Sequence, residues 1–332
     1  MTNYSVTFLM PVYNSEAYLK QAIDSLLCQS SPDWKLICID DESKDSSVQI
    51  IEEYITRDDR ISLLKQKNSG PGVARARAIE IVTTPFCGIL DSDDALDKCY
   101  VESIQKRIVE TGADVIVPEA QFITEDGELR HKYLQVIPIP LNSIFQGGEE
   151  AFSMTIPWKL HGWQVMSTEL AKKYYTIDAL SYSRFNSDEY ITRVIYLKCR
   201  MAAVSDAIYI HRINGESITQ KVSLKRMDYL KTFYKLRELI SREHLSCRIE
   251  EALYQELLIE IVTLWQMCKW LNFEESNYAK NIIKDYYYKF KDSFYGGIIK
   301  GASFKNKVKL RFAMLGFWTI PFMAWCRNIR QK

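Results

Sequence analysis

Short apolar runs alternate with helical patterns from residue 5 to residue 120, and this alternation narrows the fold more than any other feature of the chain. SVTFLMPVY (5–13) reads as a strand, and EAYLKQAIDSLLCQ (16–29) carries apolar residues at helical spacing. WKLICIDD (34–41) is a second buried-type strand, followed by the helical SVQIIEEYITR (47–57) with Asp45 or Ser46 as its N-cap. RISLLKQ, GVARARAIEIV and PFCGILD repeat the cycle of strand, helix and strand. DKCYVESIQKRIVETG (97–112) is a helix stopped by Gly112, and ADVIVPEA is a further strand. Strands alternating with helices imply βαβ units and a mainly parallel sheet covered on both faces. Ligands of such sheets bind beyond the carboxyl ends of the strands.

Those strand ends are where the polar residues gather: Tyr13-Asn14, Asp40-Asp41 and Asp91-Ser92-Asp93-Asp94. Helix capping accounts for one Asp at each junction, not for two or three. Neighbouring carboxylates raise one another's pKa and repel unless a cation or donor groups compensate. Mg²⁺ or Mn²⁺ takes one or two carboxylates and leaves its other positions to phosphate and water, which suits a diphosphate leaving group. Other nucleotide grips are missing. There is no GxxxxGK[ST] loop and no GxGxxG after the first strand; GPGVAR (70–75) has two glycines and PVYNSEAYL has none. Kinases, P-loop NTPases and dinucleotide dehydrogenases are disfavoured accordingly.

The net charge of +1 offers no general case for nucleic-acid binding. Eight scattered cysteines, without a CxxC pair or zinc spacing, point to a reducing, cytosolic compartment. MTNYSVTFLMPVYN lacks the basic start of a signal peptide, and no window reaches the ~18–20 apolar residues of a spanning helix. The nearest is 312–326, short and interrupted by Pro321. Residues 121–187 are less regular, a helix and a strand follow at 188–196 and 202–211, and beyond 222 the pattern is helical. From Ser293 to Lys332 there is no acidic residue, and basic side chains flank the apolar run 312–326. Such a segment suits a helix lying in a membrane interface; a core-packed helix with solvated basic flanks, or a contact with another subunit, are the alternatives.

Four segments together carry a family resemblance. MPVYNSEAYLKQAIDSLLCQS, ICIDDESKDSS, NSGPGVARARAIE and GILDSDDALD resemble, in order and spacing, the motifs of family 2 glycosyltransferases with the GT-A fold. The likeness continues more thinly through WKL (158–160), NSDEYITRVIY (186–196) and IYIHRINGESIT (208–219), so it covers about the first 220 residues. The expected organisation is a GT-A domain at 1–220 and a helical region at 221–332 that is membrane-interfacial or oligomerising.

The resemblance implies roles position by position. Pro11, Tyr13, Asn14 and Glu16 line the nucleotide pocket, and Asp40 accepts from the base, with uracil expected, beside Asp41 and Ser43. Gly72 and Arg75 border base and ribose. Asp91, with Ser92, approaches the ribose or donor sugar; Asp93 binds the metal, Mn²⁺ or Mg²⁺; Asp94 holds the donor sugar or supports the metal ligand. Asp188 matches the catalytic base. A sugar hydroxyl is a poor nucleophile and needs a carboxylate to take its proton as the new bond forms. One base and one metal-stabilised leaving group give direct displacement with inversion. The plain alternative is that Asp188 caps the helix from 189. Glu189 is the substitute candidate on the acceptor side. His211 is a metal ligand, a phosphate donor or a structural residue, and Arg212 suits a bidentate contact with the diphosphate. Ser217 and Thr219 close over the diphosphate, and Trp158 stacks on an acceptor sugar or sits in the core.

The chain departs from the family pattern at Glu42, where Gly is usual, at Ala76 and Ala78, where Asn and Gly are usual, and at Ser187, which replaces Glu. The implied activity is transfer of a sugar from a nucleotide-diphosphate donor, a UDP-sugar, to a glycan hydroxyl. The implied setting is bacterial surface polysaccharide synthesis on a lipid carrier, with the protein cytoplasmic and peripheral on the inner face of the membrane. A sugar nucleotidyltransferase would bring a Gly-rich N-terminal loop, which PVYNSEAYL lacks. A degenerate, non-catalytic scaffold is the other alternative, and homo-oligomer formation is left open.

Overall fold

The computed structural model describes residues 4–132, 139–183, 185–214, 222–293, 311–313 and 315–330. The expectations placed on Ser217 and Thr219, and the lysines between 300 and 309, lie outside these residues. The chain divides into two compact units, Met1–Gly215 and Glu216–Lys332.

The first unit is built on a ten-stranded sheet. Its strands are β1 (Val6–Val12), β2 (Trp34–Asp40), β3 (Ile61–Lys65), β4 (Phe86–Ile89), β5 (Ala95–Leu96), β6 (Val115–Ile123), β7 (Leu129–Lys132), β8 (Ile144–Gln146), β9 (Val165–Ser167) and β10 (Met201–Arg212). The helices are α1 (Leu19–Leu27), α2 (Ser47–Ile55), α3 (Pro71–Ile81), α4 (Tyr100–Thr111), α5 (Glu149–Ser153), α6 (Thr168–Tyr174), α7 (Ile177–Leu180) and α8 (Ser187–Lys198). The strand order is β3-β2-β1-β4-β9-β6-β10-β5, with β7 on β6 and β8 on β10.

Every pairing among β1 to β4 is parallel, as is the long pairing of β6 with β10. The short strands β5, β7, β8 and β9 pair antiparallel. A strand of two or three residues has no period to read, which is why the sequence pattern missed β5, β8 and β9. Side chains of β1 and β2 alternate between the faces. Val6, Phe8, Met10, Trp34, Leu36 and Cys38 join one core with α1 and α4; Leu9, Ile37 and Ile39 join the other with α3 and α8. Helix α1 buries Leu19, Ala22, Ile23 and Leu26, one face of a helix. Helix α4 stops at Gly112, whose φ of 62° is left-handed and suits glycine.

The chain lays β2 and β3 on one side of β1 and β4 on the other. Reversal at β1 opens a crevice beyond the carboxyl ends of β1 and β4, the switch point where α/β sheets bind ligands. Residues 13–16, 40–43 and 90–94 all leave the sheet at that edge.

The second unit holds a 3₁₀ turn (Leu224–Met227) and helices α9 (Asp228–Arg242), α10 (Cys247–Met267), α11 (Phe273–Ser293) and α12 (Thr319–Arg330). Helix α10 packs against the other three. Pro321 corrects one expectation: it lies in the first turn of α12, where its missing N–H has no partner to lose, so it opens the helix rather than interrupting it. Among the described residues no helix is long and apolar enough to cross a membrane. The two units differ in charge. Residues 1–215 carry 22 basic and 30 acidic side chains, and residues 216–332 carry 21 and 12.

Candidate active site

The end of β1 is stitched to the turn after β2. Asn14 takes a left-handed φ of 50°, its N–H donates to Ser43 Oγ at 3.1 Å, and its Oδ1 accepts from Lys44 N at 2.8 Å. Glu16 accepts from Ser46 N at 2.9 Å. Asp45 accepts from Glu16 N and Ser47 N, both at 3.0 Å, so Asp45 rather than Ser46 supplies the side chain that caps α2. Tyr13, 52% exposed, stands open at the rim beside half-buried Pro11. Asp40 is buried and accepts from Ser43 N at 3.1 Å through Oδ1; its other oxygen accepts from no described residue. Asp41 has a different task from its neighbour. It accepts from Gln66 Nε2 (2.7 Å), Ser69 N (2.8 Å) and Gly70 N (2.8 Å), latching the loop that leads into α3. Its expected place in the nucleotide pocket gives way to that latch.

Asp91, Arg75 and Asp188 form a bridge across the crevice. The Arg75 guanidinium is buried and donates from Nη2 to Asp91 Oδ1 at 2.5 Å and from Nη1 to Asp188 Oδ2 at 3.0 Å. A side chain added at Gly72, three residues earlier, would meet Leu180 and Ser187 at ordinary contact distance. The Asp91 and Asp188 side chains keep 30% and 38% of their surface open. Asp188 lies within the first turn of α8, whose N-cap is Asn186, and its Oδ1 accepts from Glu189 N at 3.0 Å. Loss of water around it raises the Asp188 pKa above the ordinary carboxylate value, Glu189 and Asp91 add to the rise, and Arg75 pulls against it.

Asp94 is 2% exposed and accepts from Tyr209 OH (2.8 Å), His211 Nδ1 (3.1 Å) and Arg212 N (2.9 Å). The expectation that Asp94 holds the donor sugar is corrected: its oxygens are committed to β10, and it supports His211 from behind. Tyr209 OH also accepts from Asp91 N at 3.1 Å. Arg212 is corrected too. Its guanidinium is buried and donates to the carbonyls of Asp93 (3.2 Å) and Glu125 (2.9 Å) and to Gln21 Oε1 (2.6 Å), which leaves no fork for a diphosphate. Ser92 pairs with Ser15 Oγ at 2.7 Å. Asp93 accepts from Asn214 Nδ2 at 2.7 Å, and burial, Asp94 and Asp91 push its carboxyl up to about 6.

On the remaining wall, Glu189 accepts from Arg193 Nη1 at 2.6 Å and from Asn186 Nδ2 at 3.2 Å. Glu189 and Asp188 are both ion-paired and take a second donor, but Glu189 keeps only 15% of its side chain open against 38% for Asp188, so Asp188 is the one more open to the crevice. Arg193 also lies 3.7 Å over the Trp158 ring and covers one of its faces. Trp163, unmarked in the sequence, stacks on Tyr209 (5.3 Å between centroids) and lies 5.0 Å from the His211 ring. His161 fixes it: its Nδ1 accepts from Trp163 N (3.2 Å), its Nε2 donates to the Pro118 carbonyl (2.8 Å), and burial drives its pKa down to about 4, so the ring is neutral. Tyr209, Asn214, Ser15 and Trp163 thus complete the site without having been expected. Tyr209 and His211 sit two apart on one face of β10, a period-two signal that was available.

The model of the family described as glycosyl transferase family 2 matches residues 7–174, half of the chain. The chain belongs to glycosyl transferase family 2. Glycosyltransferase GlyA of Streptococcus pneumoniae is 35% identical over 112 residues, which are 34% of this chain and 16% of GlyA. Glycosyltransferase GlyG of the same organism is 24% identical over 222 residues, 64% of this chain and 72% of GlyG. Poly(ribitol-phosphate) beta-N-acetylglucosaminyltransferase TarS of Staphylococcus aureus is 26% identical over 271 residues, 79% of this chain and 44% of TarS. The chain therefore spans as little as a sixth of one relative's length and under half of another's. A crystal structure of TarS 1–349 with UDP-GlcNAc superposes with a TM-score of 0.59 at 19% identity, covering 87% of this chain and 91% of that one. The sheet of the first unit is accordingly a GT-A fold, followed by a helical region.

Within the family frame, the departures find physical places. Glu42 keeps the left-handed backbone of the usual glycine, with φ 71°. Ala76 and Ala78 are buried in the core of α3, so their methyl groups pack rather than line the crevice. A divalent cation fits the donor set when the substrate completes it. Among the described residues no three metal-binding side chains converge. Asp93, however, carries a partly desolvated charge that its neighbours leave uncompensated, and His211 has its Nδ1 held by Asp94, the arrangement that orients a ligating imidazole. One carboxylate, one imidazole, phosphate oxygens and water suit Mg²⁺ or Mn²⁺.

Proposed function

We propose that the protein transfers a sugar from a UDP-sugar to a hydroxyl of a growing bacterial surface glycan, with inversion and with the help of Mg²⁺ or Mn²⁺. The observation that carries this reading is the pairing, in one crevice, of the uncompensated Asp93 carboxylate with the part-exposed Asp188. Asp93 and His211 would hold the cation, whose chemistry is to neutralise the departing diphosphate. Asp40, with one oxygen on Ser43 N and the other open, suits the imide N–H of uracil, and exposed Tyr13 offers a ring for the base to stack on. Asp188 takes the proton of the acceptor hydroxyl. Asp91 is held by Arg75, which favours single displacement over a covalent intermediate on a second carboxylate. TarS supports the donor class, since its crystal structures are described in complex with UDP and with UDP-GlcNAc. Relatives named for teichuronic and minor teichoic acid biosynthesis support the surface-polymer setting. The reading puts the protein in the cytoplasm, peripheral on the inner face of the membrane where a lipid-linked acceptor resides, with the helical C-terminal region as the contact.

Calorimetric titration with UDP, GDP, CDP and dTDP, each with Mn²⁺ and with EDTA, tests the site. UDP binding that EDTA abolishes is the expected result. Binding of another nucleotide would change the donor class. Binding of none would leave a transferase-like scaffold.

A further inference from the structure

The geometry points to the outward side of α12 as a docking surface for an anionic lipid bilayer. The inference deepens the proposed membrane contact of the C-terminal region and needs nothing from the chemistry of the crevice. Trp318, Phe322 and Trp325 are 60%, 47% and 59% exposed, and Leu315 is 66% exposed. Phe322 and Trp325 lie three apart on one side of α12, and Leu315 and Trp318 stand in the turn that leads into it. Their rings touch in series: Phe312 lies 5.6 Å from Trp318 and 5.7 Å from Phe322, and Phe322 lies 6.0 Å from Trp325.

The opposite side of the helix is the one that docks. Thr319, Ile320 and Ala324 are buried, Gln266 Nε2 donates to the Ala324 carbonyl at 3.0 Å, and Arg327 Nη1 donates to Thr263 Oγ1 at 2.8 Å. A surface helix normally turns its apolar stripe inward and its charges outward. Here Ile320 and Ala324 turn inward, bonds at Ala324 and Arg327 tie the helix to α10, and the larger rings face outward. A contiguous exposed patch of this kind marks a binding surface.

Charge selects the partner. The unit that carries α12 has nine more basic than acidic side chains, and residues 293–332 hold eight basic ones and no acidic one. Arg311 stands exposed at the start of the patch. Tryptophan and phenylalanine flanked by arginine match the boundary between headgroups and acyl chains, and the net positive charge matches anionic lipid. A second copy docking face to face would oppose two surfaces of like charge.

Sedimentation of the full chain with vesicles tests this without donor or acceptor. Vesicles of phosphatidylcholine mixed with phosphatidylglycerol should carry the protein down, and vesicles of phosphatidylcholine alone should carry down far less. High salt should weaken the binding. Trp318→Ser, Phe322→Ser and Trp325→Ser together should reduce it about tenfold or more with the circular dichroism spectrum unchanged, since these side chains are largely outside the core. Arg311→Glu alone should weaken it with every ring in place. Equal binding to both vesicle types would overturn the anionic preference. Undiminished binding by the triple variant would overturn the surface. An oligomer, seen by size exclusion, that the triple variant loses while vesicles bind neither protein would assign the face to a second copy. Nucleotide titration is read separately, so failure here leaves the transferase reading standing, and the reverse holds.

Discussion

Asp94 and Asp188 are both carboxylates of one crevice, and both are pushed above their ordinary pKa by loss of water. They are held in opposite ways. Asp94 is sealed, with three donors that all come from β10. Asp188 is part-exposed, and its side-chain partner is an arginine that it shares with Asp91. A sealed carboxylate with three donors shapes the site, whereas a part-exposed one, held by the shared arginine and by Glu189 N, leaves room for the hydroxyl that the proposed reading brings to it. The comparison separates scaffold from chemistry within one patch of negative charge.

Substitutions at three positions bear on that division, and one at a fourth probes the backbone beside it. Asp188→Asn should lower kcat by about 10²- to 10⁴-fold, the scale of general base catalysis, while calorimetry finds donor affinity intact and urea unfolding finds stability intact. Retained turnover would place the base elsewhere. Asp94→Asn should do the reverse. It leaves a network built for a buried charge without that charge, and urea unfolding should show a loss of ~3–5 kcal/mol. Unchanged stability would erase the contrast.

Arg75→Met probes the bridge through the pH dependence of kcat. The folded Asp188 carboxyl already titrates above its ordinary value, so turnover falls as pH drops through that raised pKa. Removing the guanidinium removes the influence that lowers this pKa, so the acid limb should move to higher pH. Arg75→Lys should return it most of the way. A limb that stays in place while donor affinity alone falls would confine Arg75 to binding. The smallest effect belongs to the entrance turn. Glu42→Gly relieves a left-handed backbone at φ 71° and should stabilise the protein by about 1 kcal/mol, read as a rise in Tm.

The strands with a readable period and the helices with an apolar stripe were legible in the sequence, because β1, β2 and α1 bury long regular patterns. The convergence of Asp40, Asp91 and Asp93 was legible because every parallel strand points its carboxyl end to one edge. What each carboxylate does there was not. Asp41 and Asp94 differ from Asp40 and Asp93 in which way they turn, and the loops after β2 and β4 set that direction without any period for a sequence to show. Arg212 had the right chemistry for phosphate and the wrong surroundings, since Gln21 and the carbonyls of 93 and 125 reach it only after folding. Trp163 lies in an irregular segment whose path is set by His161 and Pro118, and no periodicity leads to it.

Strand β10 has a consequence for how the molecule is made. It slots between β6 and β5, and it brings Tyr209, His211, Arg212 and Asn214 to carboxylates some 115 to 121 positions earlier in the chain. A polypeptide still emerging from the ribosome can form β1 to β4 long before that strand exists. Until it arrives, β6 lacks its parallel neighbour and Asp94 lacks all three of its donors. Contacts of such sequence separation form slowly, and an unpaired edge is open to the wrong partner while it waits. The nascent first unit should therefore remain protease-sensitive until residue 214 has cleared the exit tunnel, and the same late strand that finishes the sheet also switches on the site.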